Sequence, residues 1–382
     1  MPITDGGRRC GAAGDHRARS GYPATVDEAP ILSNGDLGEL LWRDGNDETA
    51  HRRRALHRAA RAARFWREEA AHLAEMGRSL TELHGVGPWV AARIHGWLDA
   101  PPDVPEPDET RRGFLTLAQA RTVLDADPSW ERTPHADLQI HSTDSDGSLP
   151  LREMAEAAFA LGRPFVAFTD HSKSLTIANG MDEVRLNDQI ERIDAYNAEL
   201  RSNGEALRVL KSIEMDVFAD GTTDMAPDAL EPLDIVLGAF HSKLRVRDDQ
   251  TDRYLAALHD RSVHVLAHPQ ARMYGRRTGL RADWGRVFDE AARLGKAIEL
   301  DATPVRQDLS VELARVAVAS GVRWFSIGSD AHTAFELQFL PFGLATAALA
   351  GIPRERILNY RTFEDVIAWA KELGQGPRPA RS

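Results

Sequence analysis

Six short apolar runs in the last two-thirds of the chain end in side chains that bind divalent metals. Each run has the length and composition of a buried β-strand, and its polar residues lie at or just past its C-terminal end. The C-terminal ends of parallel strands meet at one face of an α/β barrel, so we expect these residues to gather in one site. In chain order they are His141, Asp146, Asp170, His171, Glu214, His241, His268, Asp330 and His332.

The residue types in these runs favour a catalytic site with several metal ions. Imidazoles and carboxylates suit Zn²⁺, Mn²⁺ or Fe²⁺, and no cysteine thiolate accompanies them to indicate a structural zinc. The set is larger than one ion needs, so we expect two or three cations, roughly 3.5–4 Å apart as in two-metal sites. Such cations lower the pKa of water and hold phosphate oxygens, which predicts phosphoester hydrolysis, with amide or lactone hydrolysis as a chemical relative.

Strand and helix patterns alternate from residue 136 onward and predict an α/β barrel. Short apolar runs at 136–141, 165–169, 207–213, 233–239, 263–267, 296–301 and 323–328 are separated by helical patterns such as 149–162 and 182–204. Seven such units favour a closed parallel barrel over an open sheet with a nucleotide crevice. No Gly-x-Gly-x-x-Gly or P-loop pattern follows the first strand, which argues against a nucleotide cofactor.

The preceding residues divide into three parts. Residues 1–27 are polar and rich in Gly and Arg, and they predict a disordered tail. Residues 28–100 have helical patterns and predict a small all-α domain, and the Pro- and acid-rich stretch at 101–132 predicts a linker. The barrel domain is then expected at 133–375.

Two features of the helical part indicate nucleic-acid binding. Seven arginines lie between residues 51 and 67 with no acid until Glu68, and Arg54, Arg58 and Arg61 share one helical face. The turn Gly85, Val86, Gly87 between two short helices is typical of a helix-hairpin-helix, whose backbone N–H groups contact a phosphate. A solvated helix face and a turn with glycine for geometry alone are the alternatives.

Bulk composition predicts a globular, cytoplasmic protein. The chain has 382 residues, 42% hydrophobic and 27% charged, with a net charge of −11 and one cysteine, Cys10. One cysteine permits no intrachain disulfide. The first thirty residues lack the apolar core of a secretory signal, and the longest nearly apolar stretch, 339–352, is too short to span a bilayer.

The motifs HSTDSDG, TDHS, IEMD, FHS, AHP and SDAH, in this order, closely resemble the PHP (polymerase and histidinol phosphatase) domain. Over about residues 133–375 the similarity is greatest to the PHP domain of bacterial family X DNA polymerases, and residues 34–98 resemble the DNA-end-binding start of those enzymes. The resemblance implies a distorted seven-stranded βα barrel with a trinuclear metal site. The linker is too short for a polymerase palm and fingers, so no polymerase activity is expected.

The family pattern implies a division of the ligands among three metals. His141, Glu214 and Asp330 would hold the first, Glu214 would bridge to a second held by His241 and His268, and Asp146, His171 and His332 would hold the third. Glu214, His268 and Asp330 are the predicted catalytic residues. Gln139 stands where the family usually has a histidine, and an amide coordinates less strongly, so occupancy of the first site is in question.

Further residues are predicted around the ligands. Lys243, Arg272, Arg276 and Arg277 are candidate phosphate contacts, since cationic side chains bind phosphate oxygens, with loop surface charge as the alternative. Asp170 is expected to orient a ligand, Arg306 is expected to face the substrate, and Tyr274 is expected to be a packed aromatic.

Three functions are compatible with these features. The first is a metal-dependent phosphoesterase acting on nucleic-acid ends, as a 3′–5′ exonuclease or 3′-phosphatase. The second is a small-molecule phosphatase of the histidinol-phosphatase type, and the third is a DNA-binding scaffold with a degenerate metal site. The expected cofactors are two to three Zn²⁺ or Mn²⁺ ions, the expected partners are DNA ends or a small phosphomonoester, and no membrane role is expected.

Overall fold

A computed structural model describes residues 32–133 and 135–375, so the tail predicted at 1–27 lies outside the described residues. From residue 32 onward, six α-helices precede the first strand: α1 (Asn34–Asn46), α2 (Ala50–Ala63), α3 (Ala70–Glu75), α4 (Pro88–Asp99), α5 (Leu117–Ala126) and α6 (Ser129–Arg132). Short 3₁₀ turns at Leu80–Glu82 and Glu109–Arg111 lie between them.

Local sequence explains how the first two helices form and pack. Ser33 accepts a hydrogen bond from the backbone N–H of Asp36, and the Asp36 carboxylate accepts one from the backbone N–H of Ser33, which is a capping box. Leu37, Leu40 and Leu41 are spaced to share one face of α1 and are fully buried. These side chains belong to an apolar core formed within residues 32–98, so this part has a hydrophobic core of its own.

Within the described residues eight short strands follow, and every pair among these strands is parallel. They are β1 (Asp137–Ile140), β2 (Phe165–Phe168), β3 (Arg208–Lys211), β4 (Glu214–Asp216), β5 (Leu237–Ala239), β6 (Val265–Leu266), β7 (Ala297–Asp301) and β8 (Trp324–Gly328). β3 and β4 are separated only by Ser212 and Ile213. Because β3 pairs with β2 and β4 pairs with β5, they continue one pass of the chain, and seven passes result.

The strands form two sheets that are joined to each other at both edges. Their orders are β1-β2-β3 and β4-β5-β6-β7-β8. At one junction the Asp330 N–H donates to the Gln139 carbonyl at 3.0 Å and the His141 N–H to the Ala331 carbonyl at 2.9 Å. At the other, the Ser172 N–H donates to the Glu214 carbonyl at 3.0 Å. The α/β class with parallel strands is therefore confirmed, and the ring of strands closes as a barrel.

Helices cover the outside of the barrel, which is why nearly all strand residues are buried. They are α7 (Leu151–Ala160), α8 (Glu183–Ser202), α9 (Pro227–Leu230), α10 (Thr251–His259), α11 (Trp284–Leu294), α12 (Val311–Ala319), α13 (Leu340–Ala350) and α14 (Phe363–Gln375). In the part of the chain that the structure describes, no helix combines the length and apolarity needed to cross a membrane.

The segment predicted as a linker contains helices that pack against the barrel. Ala120 and Leu124 of α5 and Trp130 of α6 belong to the same buried apolar cluster as Leu344 of α13. Residues 101–108, in contrast, form no helix or strand. The stretch between the helical part and the barrel is thus irregular at its start and packed at its end.

Candidate metal centre

Histidines from four different loops surround the carboxylate of Glu214, the first residue of β4. The Nε2 atoms of His268 and His241 lie 2.6 Å and 3.1 Å from Glu214 Oε1. His171 Nδ1 and His141 Nε2 lie 3.2 Å and 3.7 Å from Glu214 Oε2. Glu214 is fully buried, so its charge is balanced by these rings rather than by solvent.

The structure brings all eight predicted ligand residues together: seven follow the C-terminal ends of strands, and Glu214 begins β4 shortly after the end of β3. Three groups have donor atoms within 4.8 Å of one another: His141, Asp146, His171 and His332; His171, Glu214 and His241; and His141, Glu214 and Asp330. The first and third groups contain the sets implied for two of the metals. In the second group His171 joins Glu214 and His241, while His268 contacts Glu214 directly.

The donor atoms of this cluster fit divalent cations. The Nδ1 atoms of His141, His171 and His268, and both ring nitrogens of His241, are buried and make no hydrogen bond. Buried polar atoms are nearly always partnered, so the unpartnered ring nitrogens of His171 and His241, which lie 3.1–3.3 Å from carboxylate oxygens of Glu214 and Asp216, indicate ligation rather than packing. Nitrogen and oxygen donors of this kind suit Zn²⁺ and Mn²⁺.

The charges in the cluster keep its carboxylates ionised. Burial alone would raise the pKa of Glu214, but His171, His268 and His241 hold it well below its ordinary value. Burial likewise opposes ionisation of Asp330, and Arg306 together with His141 lowers its pKa far below the usual range. Ionised carboxylates are the form that coordinates cations.

The same attraction acts on the histidines. Burial would lower the pKa of His241, but Glu214 and then Asp216 raise it to about 9. His332 is raised to about 10 against the effect of burial, chiefly by its hydrogen bond with Asp146. Burial lowers the pKa of His171 to about 3. The carboxylates therefore stabilise positive charge on His241 and His332, whereas at His171 the effect of burial is larger than the attraction of Glu214.

Backbone strain accompanies two of the predicted catalytic residues. His268 has φ 27° and Asp330 has φ 52°, conformations that side chains other than glycine rarely adopt. Both residues are held there by hydrogen bonds: Glu299 Oε2 accepts from the His268 N–H at 2.7 Å, and the Gln139 carbonyl accepts from the Asp330 N–H. Strain of this type persists only where the surroundings over-determine the geometry, and it concentrates at functional sites.

Gln139 points into the barrel but is engaged by Glu299. In the amide orientation that satisfies both groups, its nitrogen donates to the two Glu299 oxygens at 2.6 Å and 3.0 Å. A side chain at Gly328 would meet it, since a Cβ there would lie 2.4 Å from Gln139 Cβ. Gln139 thus links β1 to a carboxylate that in turn holds the backbone of His268.

Sequence reasoning missed Glu299, Asp301 and Asp216. Glu299 and Asp301 are fully buried on β7, where burial raises the pKa of both well above ordinary values, reinforced by Asp301 at Glu299 and by Asp330 at Asp301. Asp216 Oδ1 lies 3.3 Å from His241 Nδ1. Their signal was present in the runs AIELD and IEMD, because two acids within one buried strand are too costly to be incidental.

Asp170 has a different role from the one expected. Its carboxylate accepts hydrogen bonds from the Ser142 N–H and hydroxyl, the Ser145 hydroxyl and the Gln189 amide, at 2.6–2.9 Å. It therefore fastens the loop after β1, which carries Asp146, rather than orienting His171.

Of the four predicted phosphate contacts, three are exposed or half-buried and the fourth, Arg272, is buried. Lys243 and Arg276 are exposed, and Arg277 is partly buried with its Nε donating to the Ala271 carbonyl at 2.6 Å. Arg272, however, is buried and donates to the carbonyls of Arg306 and Gly113. The prediction for Arg272 is wrong, because its guanidinium already donates hydrogen bonds to backbone carbonyls. Tyr274 packs edge-on against the Phe114 ring, as expected.

The predicted DNA contacts lie on α2 and at the start of α4. Arg54, Arg58 and Arg61 are exposed, and Gly85 has φ 80° in the turn before the Gly87 N-cap of α4. Val86 is a correction: its side chain is buried and its N–H donates to the Leu83 carbonyl at 3.1 Å, so this N–H is not free for a phosphate.

A cavity of about 690 Å³ lies between α2 and this turn. Its lining includes Arg52, Arg58, His84, Gly85, Gly87 and Trp89. The Arg52 guanidinium lies 5.2 Å from the centroid of the partly exposed Trp89 ring. Basic, aromatic and turn backbone groups therefore share one concave surface.

The chain is similar in sequence to a DNA polymerase/3′-5′ exonuclease and to probable phosphatases. No family profile matches the sequence. The chain is 39% identical over 236 residues to the DNA polymerase/3′-5′ exonuclease PolX of Bacillus subtilis, covering 62% of this chain and 40% of that protein. It is 26% identical over 254 residues to a probable phosphatase of Syntrophotalea carbinolica, covering 60% of this chain and 93% of that one.

Among solved structures, the histidinol phosphate phosphatase of Lactococcus lactis, complexed with zinc, L-histidinol and phosphate, has 16% identity and a TM-score of 0.39. That match covers 63% of this chain and 92% of the phosphatase. The chain spans about 40% of the length of the Bacillus polymerase it matches. The sequence similarity is thus to a polymerase that is also named as a 3′-5′ exonuclease and to probable phosphatases.

Proposed function

We propose that the protein is a metal-dependent phosphoesterase that hydrolyses phosphoester bonds at nucleic-acid ends, as a 3′–5′ exonuclease or 3′-phosphatase. The observation that carries this proposal is the convergence of five histidines on Glu214, Asp146 and Asp330 at one end of the barrel. The identity of 39% to a protein named as a polymerase and 3′-5′ exonuclease supports nucleic acid as the substrate class.

Three sets of residues would hold the cations. His141, Glu214 and Asp330 form one set, Glu214 with His171, His241 and His268 forms a second, and Asp146, His171 and His332 form a third. Bound Zn²⁺ or Mn²⁺ would neutralise the phosphate oxygens and lower the pKa of the attacking water. The position of Glu214 in the middle of the set supports a bridging role.

The remaining residues of the site order the ligands and the substrate. Arg306, with Nε 3.2 Å from Asp330 Oδ2, keeps Asp330 ionised. Burial lowers the pKa of Arg277, and the positive charges of Arg306, Arg245 and Arg276 lower it further. We propose that this group of arginines, with the exposed Lys243, attracts the phosphate being cleaved.

The helical part would hold the nucleic acid. The exposed Arg54, Arg58 and Arg61 form a stripe that can pair with phosphates, and the turn at Gly85 and Gly87 adds backbone donors at a helix N-terminus. Such contacts grip the backbone without reading base sequence, which suits an enzyme that acts on ends. A cytoplasmic location is part of this proposal.

The test is release of product from a 3′-labelled DNA oligonucleotide with Mn²⁺. We expect cleavage that is lost with a chelator and in His268→Ala. The matched control is His72→Ala, which removes an exposed histidine of α3 and should cleave as the unaltered chain does. Uncut DNA at saturating Mn²⁺ would overturn the proposal.

A small-molecule phosphatase is the second candidate function. It is favoured by the match to the Syntrophotalea probable phosphatase, which covers 93% of that protein, and by the net charge of −11, which repels a polyanion. Histidinol phosphate assayed beside the oligonucleotide separates the two. Turnover of histidinol phosphate with uncut DNA would establish this candidate in place of the first.

A further inference from the structure

The Arg306 side chain contacts two carboxylates beside the predicted metal ligands, those of Asp301 and Asp330. Its Nε lies 3.2 Å from Asp330 Oδ2 and 3.6 Å from Asp301 Oδ2, and its side chain is 17% exposed. Three acids, Glu299, Asp301 and Asp330, are buried together on this side. Arg306 therefore holds the Asp330 carboxylate in place by a direct ion pair at one edge of the predicted metal set.

The loop that carries Arg306 is held from outside the barrel. We call residues 302–308, which follow β7, the β7 loop. Arg64, just after α2, donates to the Pro304 carbonyl. The Gln307 amide makes two reciprocal bonds with Leu115, accepting from its N–H at 2.8 Å and donating to its carbonyl at 2.9 Å. Both partners belong to the helical and linker part of the chain.

A third contact joins the loop to the same region. Arg272 donates through Nε to the Arg306 carbonyl at 2.9 Å and through a terminal nitrogen to the Gly113 carbonyl at 2.7 Å. One guanidinium therefore ties the backbone of Arg306 to the backbone before α5. The Tyr274 N–H also donates to the Val305 carbonyl at 2.8 Å.

The guanidinium groups of Arg64 and Arg272 lie over aromatic rings. The Arg64 guanidinium lies 3.5 Å from the centroid of the Tyr274 ring, and that of Arg272 lies 3.7 Å from the centroid of Phe114. The two rings meet edge to face at 5.2 Å. Arg64 and Arg272 are only 7% and 5% exposed, and arginine is rarely buried so deeply unless it is paired.

Backbone strain shows that the loop depends on these contacts. Gln307 has φ 43° although it is not glycine. Its side chain is the one that pairs with Leu115 on both sides of the amide. Because a strained residue persists only where its surroundings hold it, Leu115 is a support for the turn that aims Arg306.

We propose that Arg64, Arg272 and Gln307 are positioning residues for the metal site. They hold the β7 loop so that Arg306 stays beside Asp330, which makes the helical part a structural component of the hydrolytic centre and not only a nucleic-acid grip. The proposal rests on the proposed function for its catalytic readout, and its metal-binding readout is independent of that function.

The catalytic test uses the full chain, Mn²⁺ and p-nitrophenyl phosphate, a substrate too small to need the α2 surface. Arg64→Ala and Gln307→Ala should each lower kcat by about 10- to 100-fold, the range found when residues supporting metal ligands are removed, with a smaller change in KM. Arg112→Ala is the matched control, since this arginine is near the same segment but exposed and paired with Glu106. It should leave kcat unchanged.

A double-variant cycle separates positioning from general destabilisation. If Arg64 acts through Arg306, Arg64→Ala adds little to Arg306→Ala, so the double variant should be within about twofold of Arg306→Ala alone. Multiplicative losses in the double variant would overturn the proposal. Where Arg64→Ala does not fold, Gln307→Ala in the same cycle decides.

The independent readout is Mn²⁺ affinity, measured by competition with a fluorescent chelator. Arg64→Ala and Gln307→Ala should bind Mn²⁺ about tenfold more weakly, whereas Arg112→Ala should not. Unchanged affinity in folded Arg64→Ala and Gln307→Ala would overturn the positioning role. Weaker Mn²⁺ binding in a chain that cleaves no phosphoester would support positioning while overturning the phosphoesterase function.

Discussion

The metal centre and the outer face of α2 both carry dense charge, but they use it in opposite ways. Around Glu214, the carboxylate and the imidazoles of His141, His241 and His268 are buried or half-buried, and each ring lies within 3.7 Å of that carboxylate. On α2, Arg54, Arg58 and Arg61 are exposed to solvent. Buried charges must be compensated inside the protein, whereas exposed ones are screened.

Because of this difference, a charged residue in a buried cluster indicates its role more specifically than a charged residue on an exposed helix face. A residue in the buried cluster has one possible set of partners, so its identity constrains its role. An exposed arginine has many, and one of the seven arginines between residues 51 and 67, Arg64, is buried against Tyr274 and Pro304. Charge density alone did not separate the two kinds of arginine.

The largest expected effect is at the centre of the cluster. Glu214→Gln keeps the shape of the side chain but removes the charge that four histidines surround, so Mn²⁺-dependent phosphoester hydrolysis should fall by more than about 100-fold. The measurement is kcat/KM with p-nitrophenyl phosphate at fixed Mn²⁺.

Glu299→Gln is the matched control for Glu214→Gln. Burial and the neighbouring Asp301 raise the pKa of Glu299 well above its ordinary value, the opposite direction from Glu214, so an amide in place of Glu299 should change the charge of the site less than Glu214→Gln does. Activity should stay within a fewfold of the unaltered chain. Equal losses in both variants would show that burial, and not charge, sets the importance of these acids.

A smaller effect is expected from acid on a buried histidine outside the cluster. Burial, and secondarily Lys296, lowers the pKa of His264 to about 4, below the value of about 6.5 in an unfolded chain. The unfolded chain therefore binds the proton more tightly, so stability is retained above pH 6.5 and is lost as the pH falls from 6.5 to 4. The loss should not exceed about 3 kcal/mol.

Denaturant unfolding at several pH values checks this. His264→Asn keeps an acceptor for the Val236 N–H, which now donates to His264 Nδ1 at 2.9 Å, and should have a shallower fall in stability between pH 6.5 and pH 4. His72→Asn, an exposed histidine of α3, should not change the slope. A slope unchanged in His264→Asn would contradict the expectation.

The smallest effect concerns the surface of α2. Replacing Arg54, Arg58 and Arg61 together with alanine should weaken binding to a DNA oligonucleotide about tenfold. The slope of log affinity against log salt should fall in magnitude by about 2 to 3, because fewer phosphate contacts release fewer counterions on binding. Fluorescence anisotropy over a range of salt measures both quantities.

The control for this surface has the same change in net charge. Arg43, Arg78 and Arg112 are partly exposed and each pairs with an acid, so replacing these three with alanine should have less effect on DNA affinity. An equal loss in both triple variants would show that net charge, not the α2 face, determines binding.

Sequence alone determined where the ligand residues lie along the chain and which class of fold brings them together. Strand-end positions of His141, His171, Glu214, His268 and Asp330 are dictated by the apolar run before each, because parallel strands share one C-terminal edge. Seven strand passes could be predicted for the same reason. The interruption between β3 and β4 could not, since it depends on pairing with two different neighbours.

Only the tertiary structure decided which charged residues support the site from a distance. Arg64, Arg272 and Gln307 contact Pro304, Gly113, Arg306 and Leu115 across long stretches of chain, and no local pattern signals such contacts. The engagement of Gln139 by Glu299 is equally non-local. Local sequence sets the period and the ends of each element, whereas the partners of a buried polar group depend on packing that joins distant residues.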